Sequence, residues 1–221
     1  MIDLYNQDSL HLDIDGVDAI ITDPPYAIPT QVATGRTVTR NVGDLSIVEA
    51  AFSLHVKKWQ SMLSDRGRIF VFCDGASYPV MYRSLYGCFN LASLVWKKTH
   101  FGMGREFRKS HEFIIHAWQP TTPVVPSNGV GYSDVIECPV VPKKNRQHPA
   151  QKPIELINSL LRVCGETVYD PFMGSGSTGV ACADMGKNFI GAEINKDYFE
   201  TAKKRINGVQ PISNLTGDQD V

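Results

Sequence analysis

The chain of 221 residues is 43% hydrophobic and 20% charged. That is the balance of an ordinary globular protein, one able to bury roughly 70% of the surface its unfolded form exposes. It excludes a mainly disordered chain, and no apolar run approaches the ~18 residues that span a bilayer. The net charge of −1 conceals a division: Lys97 to His111 carries Lys97, Lys98, Arg105, Arg108 and Lys109 against Glu106, a net of +4, and Lys143 to Lys152 carries Lys143, Lys144, Arg146 and Lys152, another +4, which leaves −9 for the rest. An acidic body with two basic segments suits local recognition of a polyanion, although two solvated loops would give the same count.

Met1-Ile2-Asp3-Leu4-Tyr5 lacks a basic region ahead of an apolar stretch, so it is not read as a secretory leader. Five scattered cysteines without a C-x-x-C pair (Cys73, Cys88, Cys138, Cys164, Cys182) suggest neither a disulfide framework nor a metal site, and a cytosolic protein is expected. Val17 to Thr22 is a short apolar run ending at two prolines, a buried strand that stops where the backbone donor is lost. Ala27 to Asp44 reads as a long polar loop. In Ser46 to Leu63, Val48, Phe52, Val56, Trp59 and Leu63 recur at helical spacing and line one face. Arg68 to Cys73 is a second buried strand, followed by a helix near Ala76 to Leu85 and by strands at Leu91 to Trp96 and Glu112 to Trp118. Between Gln119 and Gln147 seven prolines and glycines break any regular pattern. Pro153 opens a helix to about Cys164; strands at Thr167 to Tyr169 and Phe189 to Ala192 flank a helix at Ser177 to Met185, and a last helix covers Asp197 to Ile206. The polar tail at 211–221 is expected to be mobile. Alternating strands and helices predict one α/β domain with a largely parallel sheet covered on both faces.

Two segments carry chemistry. The first, Asp170-Pro171-Phe172-Met173-Gly174-Ser175-Gly176-Ser177-Thr178, is a glycine-rich turn between a strand and a helix, where a backbone can approach a ligand and a helix N-terminus presents amides. No lysine precedes Ser177, so a phosphate loop fails. A dinucleotide site, an adenosyl site and a plain packing turn remain. Glu193 ends the next strand about twenty residues on, where a carboxylate can accept ribose hydroxyls, and this favours the adenosyl site. The second segment, Thr22-Asp23-Pro24-Pro25-Tyr26, sets a carboxylate and an aromatic ring on a backbone stiffened by two prolines. Such a pair suits a flat ring bearing an amine, stacked on Tyr26 while Asp23 accepts an N–H; a rigid turn with a surface tyrosine is the plainer alternative.

Together with His148-Pro149-Ala150-Gln151-Lys152-Pro153 before a helix, these motifs resemble the beta-group amino-methyltransferases of DNA, in which the catalytic motif also precedes the cofactor motif. The resemblance covers Leu4 to about Ile206. It implies a Rossmann-like class I methyltransferase sheet of seven strands in circularly permuted order, mostly parallel, with only the Glu112 to Trp118 strand antiparallel. It implies S-adenosyl-L-methionine as the methyl donor. Asp23, Pro24, Pro25 and Tyr26 match the catalytic motif, in which Asp23 and the Pro24 carbonyl hold the target amine and Tyr26 stacks on an extruded base. Asp170, Phe172, Gly174, Ser175 and Gly176 match the cofactor turn and Glu193 the ribose acid. Asp8, beside Ser9, resembles the acid that accepts from the adenine amine, and Gln151, Lys152 and Pro153 match the motif beside the cofactor.

The target-recognition insertion would be short, 119–147. DNA contacts are expected from Arg36, Arg40, Lys97, Lys98, Arg105, Arg108, Lys109, Lys143, Lys144 and Arg146. The implied partners are double-stranded DNA, a second copy of the chain and a cognate restriction endonuclease, in a bacterial or phage-infected cytoplasm. Asp23 leans the target toward the N6 amine of adenine. N4-cytosine methylation on the same scaffold, methylation of an RNA or protein amine, and a catalytically silent nucleic-acid-binding protein are the alternatives. Carbon-5 methylation of cytosine does not fit, because Cys138-Pro139 has the thiol on the wrong side of the proline.

Overall fold

In the computed structural model, residues 1–25, 42–102, 106–123, 131–148 and 150–209 are described, with the side chains of 42–44 excepted. Among the described residues, eight strands form one sheet: β1 (Ile2–Tyr5), β2 (Val17–Thr22), β3 (Leu63–Cys73), β4 (Asn90–Lys97), β5 (His111–Trp118), β6 (Val135–Glu137), β7 (Thr167–Asp170) and β8 (Asn188–Ala192). Five α-helices accompany them: α1 (Val42–Met62), α2 (Tyr78–Leu85), α3 (Ile154–Leu161), α4 (Ser177–Asp184) and α5 (Lys196–Asn207). The spatial order is β1-β8-β7-β2-β3-β5-β4-β6. Only β5 is antiparallel to its neighbours; every other strand runs one way.

The expected α/β class and mostly parallel sheet are therefore found, with eight strands instead of seven. Two of them escaped the sequence pattern. β1 is four residues long, mixes Asp3 with apolar neighbours and sits at an edge, where alternation is weak. β6 lies inside the proline-rich stretch and forms the opposite edge, pairing Val135 to Glu137 with Val95 to Lys97. Other bounds move as well. α1 begins at Val42, within the polar loop expected for Ala27 to Asp44, whose residues up to 41 lie outside the described residues, and β3 begins at Leu63. Gly67 serves the register shift that follows, since a Cβ there would lie 2.6 Å from the Leu63 side chain.

Alternation along the strands builds two cores. Ile69, Val71 and Cys73 pack with Phe52, Val56, Trp59, Met81 and Leu85 of α1 and α2, while Phe70 and Phe72 face Leu156, Leu160, Cys182 and Ile206 of α3, α4 and α5. The sheet is buried on both faces, as a parallel sheet requires. From β7 the chain moves outward to β8, which pairs with the edge strand β1, and from β2 it moves the other way to β3. β7 and β2 are adjacent, so the order reverses between them, and an open α/β sheet places its ligand crevice beyond the strand ends at that switch point. Asp23 follows the end of β2 and Asp170 ends β7.

Candidate active site

The turn after β7 is held from within. Asp170 is buried, its Oδ1 accepts the Phe172 N–H at 3.1 Å and its Oδ2 accepts the Thr178 hydroxyl at 2.7 Å. Burial raises its pKa to about 7 against the pull of those donors. Ser175 is buried too, and its hydroxyl accepts from the Arg205 guanidinium at 3.0 Å. The two glycines of the turn, both left-handed, differ in surroundings. At Gly174 (φ +52°) a Cβ would meet nothing within 4 Å, so the backbone there borders open space. At Gly176 (φ +80°) a Cβ would lie 2.9 Å from that of Ala202, so this glycine lets α4 approach α5. Glu193, at the end of β8, reaches back: Oε2 accepts the Gly174 N–H at 3.0 Å and Oε1 the Asn195 N–H at 2.8 Å.

One hollow at the switch point is lined by Thr22, Asp23, Phe72, His148, Gln151, Lys152, Asp170, Phe172, Met173, Gly174 and Ser175, among others. It brings the end of β2, the turn after β7 and the segment before α3 to one place. A second hollow shares Phe172 and is lined by Asp8, Ser9, His55, Glu193 and Ile194. Asp8 caps a single 3-10 turn by accepting the Leu10 N–H. Ser9 is buried against His55, with its Oγ 3.1 Å from Nε2. The His55 Nδ1 lies 2.9 Å from the Ala51 carbonyl, an arrangement in which Nδ1–H donates and Nε2 accepts from Ser9. Burial holds the His55 pKa below its ordinary value, which suits a neutral ring packed 4.8 Å from Phe172.

Lys152 is the charged centre of the first hollow. It is 7% exposed, with Nζ 2.5 Å from Asp23 Oδ2, 3.4 Å from Glu112 Oε2 and 5.1 Å from the Phe72 ring centroid. Burial alone would discharge it, but Asp23 and Glu112 hold its pKa above the usual lysine value. Glu112 Oε1 in turn receives Lys98 Nζ at 2.5 Å. A third hollow, lined by Trp96, Lys98, Glu112, Arg146, Ala150, Gln151 and Lys152, joins this charged chain to the first hollow through their shared Ala150, Gln151 and Lys152.

The sequence-predicted residues are thus distributed. Asp23, Gln151, Lys152, Asp170, Phe172, Gly174 and Ser175 surround the first hollow; Asp8, Ser9, Phe172 and Glu193 the second. Pro24 is buried and Pro25 exposed beside Asp23. Pro153 and Gly176 line neither hollow; Pro153 caps α3 and Gly176 caps α4. Tyr26, Arg36, Arg40 and Arg105 lie outside the described residues, as does the tail at 211–221.

Both basic segments stand at the same end of the sheet as Asp23. The chain from β4 to β5 leaves at the end of β4, where Lys98 N–H donates to the Ser110 carbonyl. Within them Lys97 pairs with Glu137 at 2.8 Å, and Arg146 Nε donates to the Val141 carbonyl at 2.7 Å. Arg108 donates to the carbonyls of Gly102 and Phe101. Lys109, Lys143 and Lys144 are exposed. Glu112, Phe72 and His55 were not singled out from the sequence, because each belongs to an element whose pattern reads simply as buried strand or helix. His148 was visible in its motif without a role; it lines the first hollow, with its ring against Tyr198.

No helix among the described residues is long and apolar enough to cross a membrane. Comparison with known proteins agrees with this geometry. The profile of the DNA methylase family matches residues 17–204. The type II methyltransferase M.HpaI of Haemophilus parainfluenzae is 27% identical over 89% of this chain and 70% of its own. The crystal structure of the M1.HpyAVI–SAM complex is 26% identical, covers 94% of this chain and all of that one, and superposes with a TM-score of 0.72. The cytosine-N4-specific PvuII DNA methyltransferase, 16% identical, shares the fold over 95% of this chain and 88% of its own, with a TM-score of 0.75.

Proposed function

The chain belongs to the N6/N4 DNA methylase family, with S-adenosylmethionine as methyl donor, and from that premise we propose that it methylates the N6 amine of adenine in double-stranded DNA. The observation that carries this reading is that Asp23 shares one hollow with Gly174 and the rest of the turn after β7. An acceptor for an amine and an open backbone turn thus face each other at the switch point of the sheet. The residues fit the donor: Gly174 borders open space, and Glu193 supplies a carboxylate beside the second hollow with Asp8 across it. When bound, S-adenosylmethionine supplies an electrophilic methyl group on a positively charged sulfur.

The chain's own part is to bring an amine to that methyl and to make its nitrogen nucleophilic. A base amine inside a duplex is out of reach, so the nucleotide is turned out, at a cost of a few kcal/mol. Tyr26 stacks on the extruded ring, recovering roughly 1–3 kcal/mol. The exocyclic lone pair is conjugated into the ring; accepting its two N–H groups at Asp23 and the Pro24 carbonyl favours a pyramidal nitrogen with a localised pair. Held in line with the donor's methyl group by these residues, the amine would exchange for the donor's sulfur on that methyl, and the proton it loses would pass to solvent. Proximity supplies much of the rate, and no enzyme-bound intermediate is required.

Adenine is preferred over cytosine on the strength of the aspartate at position 23. The proposal includes one methyltransferase domain with 119–147 as its recognition insertion. It also includes a second copy of the chain as partner and a bacterial or phage-infected cytoplasm. Similarity to a type II methyltransferase supports a cognate restriction endonuclease as a further partner. The test is direct: incubate the protein with labelled S-adenosylmethionine and unmodified DNA, digest, and separate the nucleosides. Label in N6-methyladenine is expected; label in N4-methylcytosine overturns the choice of base, and no label in DNA overturns the reading.

A further inference from the structure

The chain of charges Asp23–Lys152–Glu112–Lys98 links the carboxylate after β2 to the root of the basic segment after β4 through three contacts, of 2.5, 3.4 and 2.5 Å. Its members come from four separate stretches of sequence, and all four side chains are largely buried: Lys152 is 8% accessible, Lys98 17%, and Asp23 and Glu112 21% each. A buried ammonium on a flexible four-carbon stem needs more than one anion to stay both charged and still.

We propose that Glu112 is a positioning residue for methyl transfer. Its Oε2 lies 3.4 Å from the Lys152 ammonium, a second anion besides Asp23. Lys152 is thereby kept on Oδ2 of Asp23, where it fixes the orientation of that carboxylate toward the target amine. This rests on the reading that Asp23 holds the target amine. A carboxylate has lone pairs for both duties, and an ammonium held in one place fixes the direction in which the remaining ones point. Phe72 limits movement of the ammonium on a further side, with its ring centroid 5.1 Å from Nζ. Lys98 occupies the other oxygen of Glu112, so this acid is held between two cations. Glu112 also lines the third hollow beside Arg146, the passage between the basic segments and Asp23. Without the Glu112 charge, the ammonium is held by Asp23 alone and no longer fixes the direction of its carboxylate.

Titration gives a second handle. The charged and titratable groups around Lys152 are Asp23 after β2, Cys73 ending β3, Glu112 on β5, Lys98 after β4, His148 on its own segment and Asp170 ending β7. Glu112 raises the Lys152 pKa, so its removal lowers it, and the ammonium that orients the Asp23 carboxylate is lost at a lower pH.

The experiment uses the full chain, unmethylated plasmid DNA and labelled S-adenosylmethionine. For Glu112→Gln, kcat is expected to fall at least about tenfold while the KM for DNA and the cofactor Kd stay within about twofold, the pattern of an interaction used in the transition state. The alkaline limb of kcat should move to lower pH, and Glu112→Asp should recover part of the rate. A wild-type kcat, or a fall matched by weaker cofactor binding with an unmoved pH profile, overturns the proposal. NMR of the lysine side-chain ammonium groups separates this from failure of the functional reading. A protected Lys152 signal that is lost in Glu112→Gln supports the tether even if wild-type protein methylates no DNA. A signal indifferent to the substitution overturns it.

Discussion

Glu193 and Gly174 are joined by a hydrogen bond of 3.0 Å, from the amide of the glycine turn to the carboxylate at the end of β8. The acid that the turn's spacing marks for a ribose also braces the turn itself. Glu193→Ala should therefore weaken S-adenosylmethionine binding by roughly 1.5–3 kcal/mol, through loss of a charge-assisted acceptor and of the brace. Gly174→Val should do at least as much, since φ is +52° and its side chain would enter the open hollow. Calorimetric titration of the folded variants checks both, and wild-type affinity in either would contradict the assignment.

Asp23→Asn should reduce methyl transfer by orders of magnitude with cofactor binding near wild type, because the missing interaction belongs to the amine in the transition state. Both this variant and Asp23→Ala should be less stable, since each removes an anion from the buried Lys152 ammonium, and Asp23→Ala also removes the last acceptor oxygen. Tyr26→Ala should be slow, whereas Tyr26→Phe and Tyr26→Trp should retain activity if the ring face is what matters. Single-turnover rates with labelled donor distinguish these cases.

Among the basic residues, those engaged within the protein and those exposed should behave differently. Replacing Lys143 and Lys144 together with Arg146 should weaken DNA binding and flatten its salt dependence, by up to about 0.9 log units of slope for each phosphate no longer neutralised. Most of the effect should come from the two exposed lysines, because Arg146 is tied to the Val141 carbonyl. Lys97→Ala should change the slope less, as its ammonium is paired with Glu137. Salt titrations of binding to unmodified duplex DNA provide the comparison.

Asp170 predicts a pH effect on stability. Its pKa, about 7 in the folded protein against an ordinary 3.8, means that the folded state binds the proton more tightly than the unfolded one. Between about pH 4 and pH 7 the native state therefore carries more protons, and stability falls as pH rises through that window. Asp170→Asn should flatten this part of the curve while retaining one acceptor oxygen for the turn. Denaturant midpoints of both proteins at several pH values test it; parallel curves would assign the dependence elsewhere.

Much of this protein is legible in residue order alone. Apolar runs broken by prolines and glycines mark buried strands, helical spacing marks α1, and alternation of the two implies a parallel sheet, since local periodicity reports which face of an element is buried. The motifs around Asp23 and Gly174 lead to the expectation of an amine acceptor and a ligand turn, because the residues concerned are neighbours in sequence. Tertiary structure alone decides the rest. Asp23 and Lys152 meet across 129 positions because the segment before α3 passes over the end of the sheet where β2 stops. Glu112 becomes part of the site because β5 lies beside β3, and Lys97 is paired with Glu137 because β6 lies beside β4. Gly176 packs α4 on α5, although the motif places it with the cofactor. β1 and β6 are too short to show a period and take shape only against β8 and β4. A charge's partner, like a short edge strand's, lies on another element, and local pattern carries no record of which elements become neighbours.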